Sequence, residues 1–370
     1  MRTTVDVPDD PMLASVWAAA EYRVIGDGVF YPDLVRMRDS IRSWDGWLTA
    51  WSSLADEYEE LAREAETAGN VVTAGEHYWQ ASLSVHFGQF LWFHRPAEKA
   101  DAQRRKVELY RKAAPHLQPP AERLEIECDG LRMPAFLRTP PPGGTVSPCV
   151  VLIGGLDSTK EESRHFEDSC LARGVATLVF DGPGQGESYA QRALVPDFER
   201  YVSAVVDVLQ TRPEIDPERI GVLGRSLGGY YAARSAAHEP RLKACAIFGA
   251  LANIEHLDEI PPQTQLGFEF VTALEDREQA RARAKAYINL GDLPSEIRQP
   301  LFVLHGALDI IVPVAQAQEL YEMAPSEDKR LWIIPDGIHC AHNRFHRVRR
   351  PMADWLASRL GASPPSSPRA

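Results

Sequence analysis

The sequence predicts an α/β protein with a mostly parallel central sheet, preceded by a separate helical region. After about residue 120, short apolar runs alternate with helical stretches, as expected for strands buried on both faces and joined by helices. Before that point the chain is rich in Ala, Glu, Leu and aromatic residues, and Pro and Gly fall mostly between candidate helices. We therefore divide the chain into a helical region, residues 1–118, and a larger domain, residues 119–360.

The helical region is predicted from its aromatic periodicity. Trp44, Trp47 and Trp51 recur at spacings of three and four, which places them on one face of a helix. A turn with the sequence TAGN at residues 67–70 ends this helix. Two further helices are predicted, over about residues 71–93 and 97–114.

The larger domain opens with two predicted strands, residues 123–128 and 131–139, joined by a tight Asp129-Gly130 turn. A Pro- and Gly-rich break follows, and six apolar runs then predict parallel strands: residues 149–153, 176–180, 220–223, 244–248, 301–304 and 331–334. Residues 251–298 predict a short helical insertion, and the tail from residue 361, GASPPSSPRA, is predicted to be disordered.

The amino-acid composition disfavours several classes of partner and site. Lys+Arg is 40 and Asp+Glu is 52, so the net charge of −12 disfavours nucleic acid and anionic membranes as partners. Five cysteines without a CxxC pair disfavour a disulfide framework or a thiolate metal site. The start, MRTTVDVPDDPM, has no apolar signal-peptide core, and no apolar run approaches the ~18 residues of a membrane span. We expect a cytoplasmic protein.

A serine between two glycines is the main chemical signal. Gly224-x-Ser226-x-Gly228 lies where a predicted buried strand gives way to a predicted helix. This is the context of a nucleophile elbow, in which small neighbours let strand and helix approach closely around a strained serine. The alternative is an ordinary Gly-rich turn.

A serine nucleophile needs a base and an orienting acid, which in this architecture follow in the order Ser, acid, His. Asp309 follows the strand in LFVLHGALDIIVP, and His339 follows the next strand in RLWIIPDGIHCAHN. Asp336 is a rival for the acid. His342 and His346 are rivals for the base.

The string HCAHNRFH also invites a metal hypothesis, but no acidic or cysteine partner stands at ligand spacing. We expect no metal and no cofactor. His305 lies before the Asp309 turn and is predicted to be a structural residue of the strand end.

Two amides are expected to stabilise an oxyanion. One is the backbone N–H of Leu227, which opens a helix. The other is the N–H of Gly155 or Leu156 in IGGLDSTKEES, where Gly154-Gly155 lets the backbone bend toward the substrate.

Together these residues resemble the α/β-hydrolase superfamily over about residues 122–360. The segments GGLDSTKEES, DGPGQGES, GRSLGGYYAARSAA and DGIHCAHN, with the helical N-terminal region, resemble more narrowly the family of 2,6-dihydroxypseudooxynicotine hydrolase and fungal polyketide-shortening hydrolases. The resemblance implies an α/β-hydrolase fold with an N-terminal helical cap, a Ser226–Asp309–His339 triad, and cleavage of a C–C bond next to a carbonyl.

The resemblance also implies an acidic residue after the strand that ends at Ala250, where LANIEHLDEIPP offers Glu255, Asp258 and Glu259. We take Glu255 as the candidate for substrate binding. The helical region is expected to complete a lid, with some of its aromatic residues lining an apolar pocket and the rest forming its core; the candidates are Tyr78, Trp79 and Phe90.

The sequence thus predicts a serine hydrolase that forms an acyl-enzyme and cleaves an aryl ketone, a β-diketone or a polyketide-like substrate. The alternatives are a carboxylesterase or thioesterase with the same triad, and a non-catalytic binding protein. The expected partner is a small molecule with an apolar or aromatic part. A homodimer is the candidate assembly, although the sequence leaves the oligomeric state open.

Overall fold

A computed structural model of the chain describes residues 10–141 and 146–363. The chain divides into two compact units, Met1–Leu117 and Gln118–Ala370, with the division one residue from the predicted boundary. Part of the predicted Pro-rich break and most of the predicted disordered tail lie outside the described residues.

The first unit is helical over the part that the structure describes. Its helices are α1 (Pro11–Gly26), α2 (Tyr31–Ser40), α3 (Trp47–Thr67), α4 (Val71–Gln89) and α5 (Pro96–Ala113). The second predicted helix therefore ends about four residues early, and a buried turn at 90–93 leads toward Pro96, whose ring fixes φ at the start of α5.

Aromatic packing holds the helical unit together. Trp47 is fully buried, contacts Trp17 edge-on with ring centroids 4.7 Å apart, and donates a hydrogen bond from Nε1 to Phe87 O at 2.8 Å. Gly88 faces α3 so closely that a methyl group there would lie 3.0 Å from Trp51 Cβ. The stripe of tryptophans seen in the sequence therefore packs into the interior of this unit.

The second unit is built on an eight-stranded sheet in the order β1-β2-β4-β3-β5-β6-β7-β8. The strands are β1 (Glu122–Cys128), β2 (Leu131–Arg138), β3 (Ser147–Ile153), β4 (Ala176–Phe180), β5 (Ile215–Arg225), β6 (Leu242–Phe248), β7 (Leu301–Gly306) and β8 (Lys329–Ile334). β1 and β2 form an antiparallel hairpin and β2 pairs antiparallel to β4, whereas β3 to β8 pair in parallel.

The β1–β2 hairpin turn has the geometry that its two residues favour. Asp129 and Gly130 have φ of 50° and 75°, as a two-residue type I′ turn requires. Cys128 pairs with Leu131, so the turn fixes the register of the hairpin.

Helices cover both faces of the sheet, and others lie in the insertion between β6 and β7. They are α6 (Arg164–Leu171), α7 (Glu199–Gln210), α8 (Leu227–His238), α9 (Pro262–Phe270), α10 (Arg277–Tyr287), α11 (Val314–Met323) and α12 (Phe345–Arg359). One face buries Val222 and Ile247 with α7 and α8. The other presents Phe248 to Phe166 of α6 and Phe302 to Trp355 of α12. With both faces covered, the strands are continuous apolar runs.

This topology positions the predicted chemistry. Because β3 to β8 are parallel, the loops that follow them emerge at the same edge of the sheet. Ser226 follows β5, Asp309 follows β7 and His339 follows β8. Among the residues described, no helix is long and apolar enough to cross a membrane.

Candidate active site

Ser226 lies in a strained turn between β5 and α8. Its φ of 55° and ψ of −119° fall in a region that non-glycine residues rarely adopt. Its N–H donates a hydrogen bond to Phe248 O at 2.8 Å. A methyl group on Gly224 would lie 1.9 Å from Gly228 O, and one on Gly228 would lie 2.1 Å from Ile153 O. Only glycine therefore allows the helix to approach β3 and β5 at these two positions.

Asp309 and His339 form a close pair. His339 Nδ1 lies 2.7 Å from Asp309 Oδ2, and the Asp309 side chain is completely buried. The other oxygen, Oδ1, accepts hydrogen bonds from the N–H groups of Ile311 and Val312 at 2.8 and 2.9 Å. The carboxylate is thus fixed by its own loop and directs one oxygen at the imidazole.

The two groups stabilise each other's charged forms. Burial lowers the pKa of His339, but the Asp309 carboxylate and the neighbouring Cys340 together raise it more, so this pKa lies above that of a free imidazole. Burial raises the pKa of Asp309, but the imidazoles of His339 and His305 and the N–H of Val312 lower it more, so this pKa lies below its ordinary value. The pair favours an ionised carboxylate beside a histidine of increased basicity.

The end of β6 contacts both the Ser226 turn and the loop that carries His339. Phe248 O accepts from Ser226 N–H and also from the Cys340 thiol, whose Sγ lies 3.4 Å away. Cys340 Sγ is 3.5 Å from His339 Nε2. A methyl group on Gly249 would lie 3.5 Å from His339 Cε1. The Phe248–Gly249 backbone is therefore in contact with the turn of Ser226 on one side and with His339 and Cys340 on the other.

Two of the residues predicted to supply oxyanion amides, Leu227 and Gly155, adjoin Ser226. Leu227 is the first residue of α8, and the first N–H groups of a helix have no acceptor within it. A methyl group on Gly155 would lie 3.1 Å from Arg225 O and 3.3 Å from Ser226 Cβ, so this glycine packs directly against the serine. Gly154 O accepts from Gln185 Nε2 at 2.7 Å, which anchors the loop.

A buried network of charges, which the sequence did not reveal, supports the same loop. Lys160 Nζ lies 2.5 Å from Glu161 Oε1, 2.8 Å from Asp181 Oδ2 and 2.6 Å from Glu187 Oε1. Burial lowers the pKa of Lys160, but the three carboxylates raise it above its ordinary value. These carboxylates could be taken for metal ligands, since their oxygens lie within 4.8 Å of one another. The ammonium group already occupies the space between them.

The alternatives to the acid and the base, Asp336, His342 and His346, lie near His339 in the sequence and have other surroundings. Asp336 is exposed and accepts from Arg344 Nε at 3.0 Å. The His342 ring packs on Phe345 with centroids 4.9 Å apart, and its centroid is 6.0 Å from that of His339. His346 is exposed on α12.

His305, predicted to be a structural residue of the strand end, bonds to backbone groups and also lies beside the acid. Its Nε2 lies 3.4 Å from Asp309 Oδ2 and 2.9 Å from Val312 O. In the sequence, His305 stands four residues before Asp309, across a turn that contains a glycine. This spacing alone does not show that the turn folds back and brings the two side chains together.

The acidic candidates after β6 lie in a loop that is hydrogen-bonded to the loop after β7, which carries Asp309 and is called the acid loop below. His256 Nε2 donates to Ile311 O at 2.8 Å, and Gln316 Oε1 accepts from Ala252 N–H at 2.7 Å. The Asp258 carboxylate pairs with Arg281 and lies 3.7 Å from Lys285 Nζ. Glu255 and Glu259 are exposed.

The aromatic candidates of the helical unit are buried. Tyr78 OH donates to Glu66 Oε2 at 2.6 Å. Phe90 packs against Trp47 and Phe87, with ring centroids 6.3 and 5.6 Å away, and Trp79 is 5 % exposed. Tyr78 and Phe90 thus have packing or hydrogen-bond partners inside the unit, and a role for any of the three in substrate binding stays a prediction.

Two family models match the chain. The model described as esterase FrsA-like matches residues 40–264, and that of the prolyl oligopeptidase family matches residues 167–363.

Individual relatives and a solved structure that are similar to this chain are also named as hydrolases. The chain is 43 % identical to 2,6-dihydropseudooxynicotine hydrolase of Paenarthrobacter nicotinovorans over 98 % of this chain and 95 % of the relative. It is 34 % identical to hydrolase acrC of Aspergillus aculeatus, over 54 % of this chain and 52 % of the relative. The crystal structure of 2,6-dihydroxy-pseudo-oxynicotine hydrolase superposes with a TM-score of 0.86, at 43 % identity, over 92 % of this chain and 95 % of that chain.

Proposed function

The chain belongs to the α/β-hydrolase superfamily, within the family of 2,6-dihydropseudooxynicotine hydrolase, and is a hydrolase; on that basis we propose that it attacks a carbonyl carbon with Ser226. His339 is the general base and Asp309 orients it. The observation that carries this proposal is the 2.7 Å contact between His339 Nδ1 and the buried Asp309 Oδ2, at the sheet edge that also holds the strained Ser226.

In the proposed reaction, His339 Nε2 takes the proton of Ser226 Oγ as the oxygen attacks the carbonyl. The N–H of Leu227, with that of Gly155 or Leu156, donates hydrogen bonds to the oxyanion of the tetrahedral intermediate. The imidazolium then gives its proton to the leaving group, and the acyl-enzyme remains. Water, activated by the same histidine, releases the acid and regenerates the serine.

We propose a C–C bond next to a carbonyl as the bond that breaks. The relative that matches 98 % of this chain is named as a hydrolase of 2,6-dihydropseudooxynicotine, and the sequence motifs resemble the same family. A carbon leaving group departs only if its electron pair is stabilised as an enolate or as a ring carbon that takes up a proton. The substrate is therefore a hydroxylated aryl ketone or a β-diketone.

An ester or thioester is the second candidate, favoured by the match of residues 40–264 to a model described as an esterase. The triad chemistry is the same, but an alkoxide or thiolate departs. A panel of aryl ketones, β-diketones, p-nitrophenyl esters and acyl-CoA thioesters separates the two, with Ser226→Ala as the blank. Turnover of ketones above that of esters supports C–C cleavage, and turnover of esters alone contradicts it.

We further propose Glu255 as the acidic residue that assists at the substrate, since the rival Asp258 already pairs with Arg281. Glu255→Gln is then expected to slow ketone cleavage, whereas Glu259→Gln, four residues away in the same loop, leaves the rate unchanged. Equal rates for both variants would remove Glu255 from the site.

A fluorophosphonate labels an activated serine without knowledge of the natural substrate, and it tests catalysis against a binding protein. Labelling of Ser226, located by mass spectrometry of the digest, is the expected result. An unlabelled, folded protein would favour the non-catalytic alternative. Dialysis against EDTA is expected to leave the labelling rate unchanged, because no step in this mechanism uses a metal.

A further inference from the structure

His305 is a second histidine beside the acid of the proposed triad. It follows the apolar run of β7, its side chain is completely buried, and its ring contacts two segments, the end of β6 and the loop after β7. Nδ1 lies 3.2 Å from Ala250 N, whereas Nε2 lies 2.9 Å from Val312 O and 3.4 Å from Asp309 Oδ2. Both ring nitrogens are therefore engaged.

These contacts determine which nitrogen carries the proton. The N–H of Ala250 can only donate, so Nδ1 of His305 must be the unprotonated acceptor. Nε2 then carries the hydrogen, which faces the carbonyl of Val312 and the carboxylate of Asp309. Burial lowers the pKa of His305 despite the neighbouring Asp309 carboxylate, which agrees with a ring that stays neutral.

The His305 ring connects the acid loop to the residues that follow β6. Val312 donates its N–H to Asp309 Oδ1 and accepts at its carbonyl from His305, so this one residue links the acid to the buried histidine. On the other side, Ala250 lies two residues after Phe248, whose carbonyl accepts from Ser226 N–H. A continuous path of hydrogen bonds and short backbone segments thus joins the nucleophile turn to the acid.

We propose that His305 is a positioning residue for catalysis: as a neutral Nε2–H imidazole it fixes the Asp309 carboxylate relative to β6 and so keeps Asp309 Oδ2 aimed at His339 Nδ1. In this proposal His305 acts on the serine and on His339 through Asp309. This inference rests on the proposed function, because it assigns His305 a part in the same triad.

Two variants separate positioning from stability. His305→Phe keeps a buried ring but removes the donor and the acceptor, whereas His305→Gln keeps a donor and an acceptor on one side chain. We expect the rate at which a fluorophosphonate labels Ser226 to fall about 10- to 100-fold in His305→Phe, since small misplacements of catalytic groups have effects of this size. His305→Gln should recover part of the loss.

The matched control is His256→Gln. His256 also donates to a carbonyl of the loop after β7, that of Ile311, and among the described residues it forms no hydrogen bond or ion pair with Asp309. It should label close to the wild-type rate. The shared His339–Asp309 proton provides a spectroscopic test, because its downfield ¹H resonance should shift or broaden in His305→Phe and stay unchanged in His256→Gln.

NMR of the wild-type protein labelled with ¹⁵N-histidine tests the tautomer directly, with a neutral Nε2–H ring expected for His305 at neutral pH. An imidazolium, or an Nδ1–H ring, would overturn the inference. So would wild-type labelling in a folded His305→Phe protein, or an equal loss in His256→Gln. If His305→Phe does not fold, His305→Gln and the wild-type tautomer decide. If wild-type Ser226 is itself not labelled, the proposed function fails and the inference fails with it.

Discussion

Ser226 is the residue on which the proposed chemistry depends most directly. Ser226→Ala removes the nucleophile while changing little volume, and we expect turnover to fall on the order of 10⁴-fold or more, with the protein still folded. Ser235→Ala is the control, because Ser235 lies on the same helix α8 and donates only to Tyr231 O. A folded Ser226→Ala protein with wild-type turnover would require a different nucleophile.

At the same scale, the Asp309–His339 pair predicts a pH dependence. Only the neutral imidazole accepts the serine proton, so kcat/KM should rise with pH through the pKa of His339. Because Asp309 raises this pKa against the lowering effect of burial, the rise should lie above the pKa of free histidine, about 6.5. Asp309→Asn removes the attraction, so the rise should move to lower pH while the maximal rate falls at least ~10³-fold.

Asp336→Asn is the control for that series, since Asp336 is exposed and bound to Arg344. It should keep both the rate and the pH profile. His339→Ala should cost as much as Asp309→Asn, and the double variant should be little worse than either, because the triad acts as a unit. A crippled Asp336→Asn beside an active Asp309→Asn would transfer the role of acid to Asp336.

At the scale of elements, the nucleophile turn depends on how closely α8 approaches β3. Gly228→Ala would place a methyl group 2.1 Å from Ile153 O, and backbone atoms cannot move aside as a flexible side chain can. We expect a loss of at least about 1–3 kcal/mol in the free energy of unfolding. Urea denaturation measures it, with Gly46→Ala as the control, because a methyl group there meets nothing closer than 3.8 Å. Equal stability of the two variants would contradict the close approach.

The loops after β3 and β4 depend on the buried ammonium of Lys160. Lys160→Met leaves the carboxylates of Glu161, Asp181 and Glu187 close together without this cation, and we expect a loss of about 3–5 kcal/mol in the free energy of unfolding near pH 7. Lacking the cation, these carboxyls have a raised pKa in the folded state. The folded variant then binds more protons than the unfolded chain, and the deficit should shrink as pH falls.

Lys243→Met is the matched control, because Lys243 is 40 % exposed and lies 3.8 Å from Glu218. Its stability should equal that of the wild type at each pH. A deficit in Lys160→Met that grew toward acidic pH would contradict the assignment of charged carboxylates around the lysine.

At the scale of the whole molecule, the sequence predicts that the helical region forms a lid. A truncated protein that begins at Pro119 keeps the sheet and the residues of the proposed triad. It should lose most of its kcat/KM on a bulky ketone but retain activity on small activated esters, which need little positioning. Solubility must be measured first, because exposed apolar surface promotes aggregation. Undiminished activity on the bulky substrate would exclude a catalytic part for residues 1–118.

The sequence alone determined the existence and order of the strands and the order of Ser226, Asp309 and His339, whereas several strand bounds differ, most at β5, which was predicted over 220–223 and spans Ile215–Arg225. These features are local: apolar runs, turn residues and glycines at fixed spacing each reflect the conformation of a few consecutive residues. The type I′ turn at Asp129-Gly130 was predictable for the same reason.

Only the tertiary structure decided which distant groups share a site. The 2.7 Å contact of His339 with Asp309 joins residues 30 positions apart, and the burial of Lys160 among carboxylates joins the loops of two different strands. The contact of His305 with Asp309 was not predictable, because nothing in LFVLHGALD shows that the turn folds the Asp309 carboxylate back toward the ring. Pairing, burial and tautomer depend on which loops meet at the sheet edge, and that follows from strand order rather than from any local pattern.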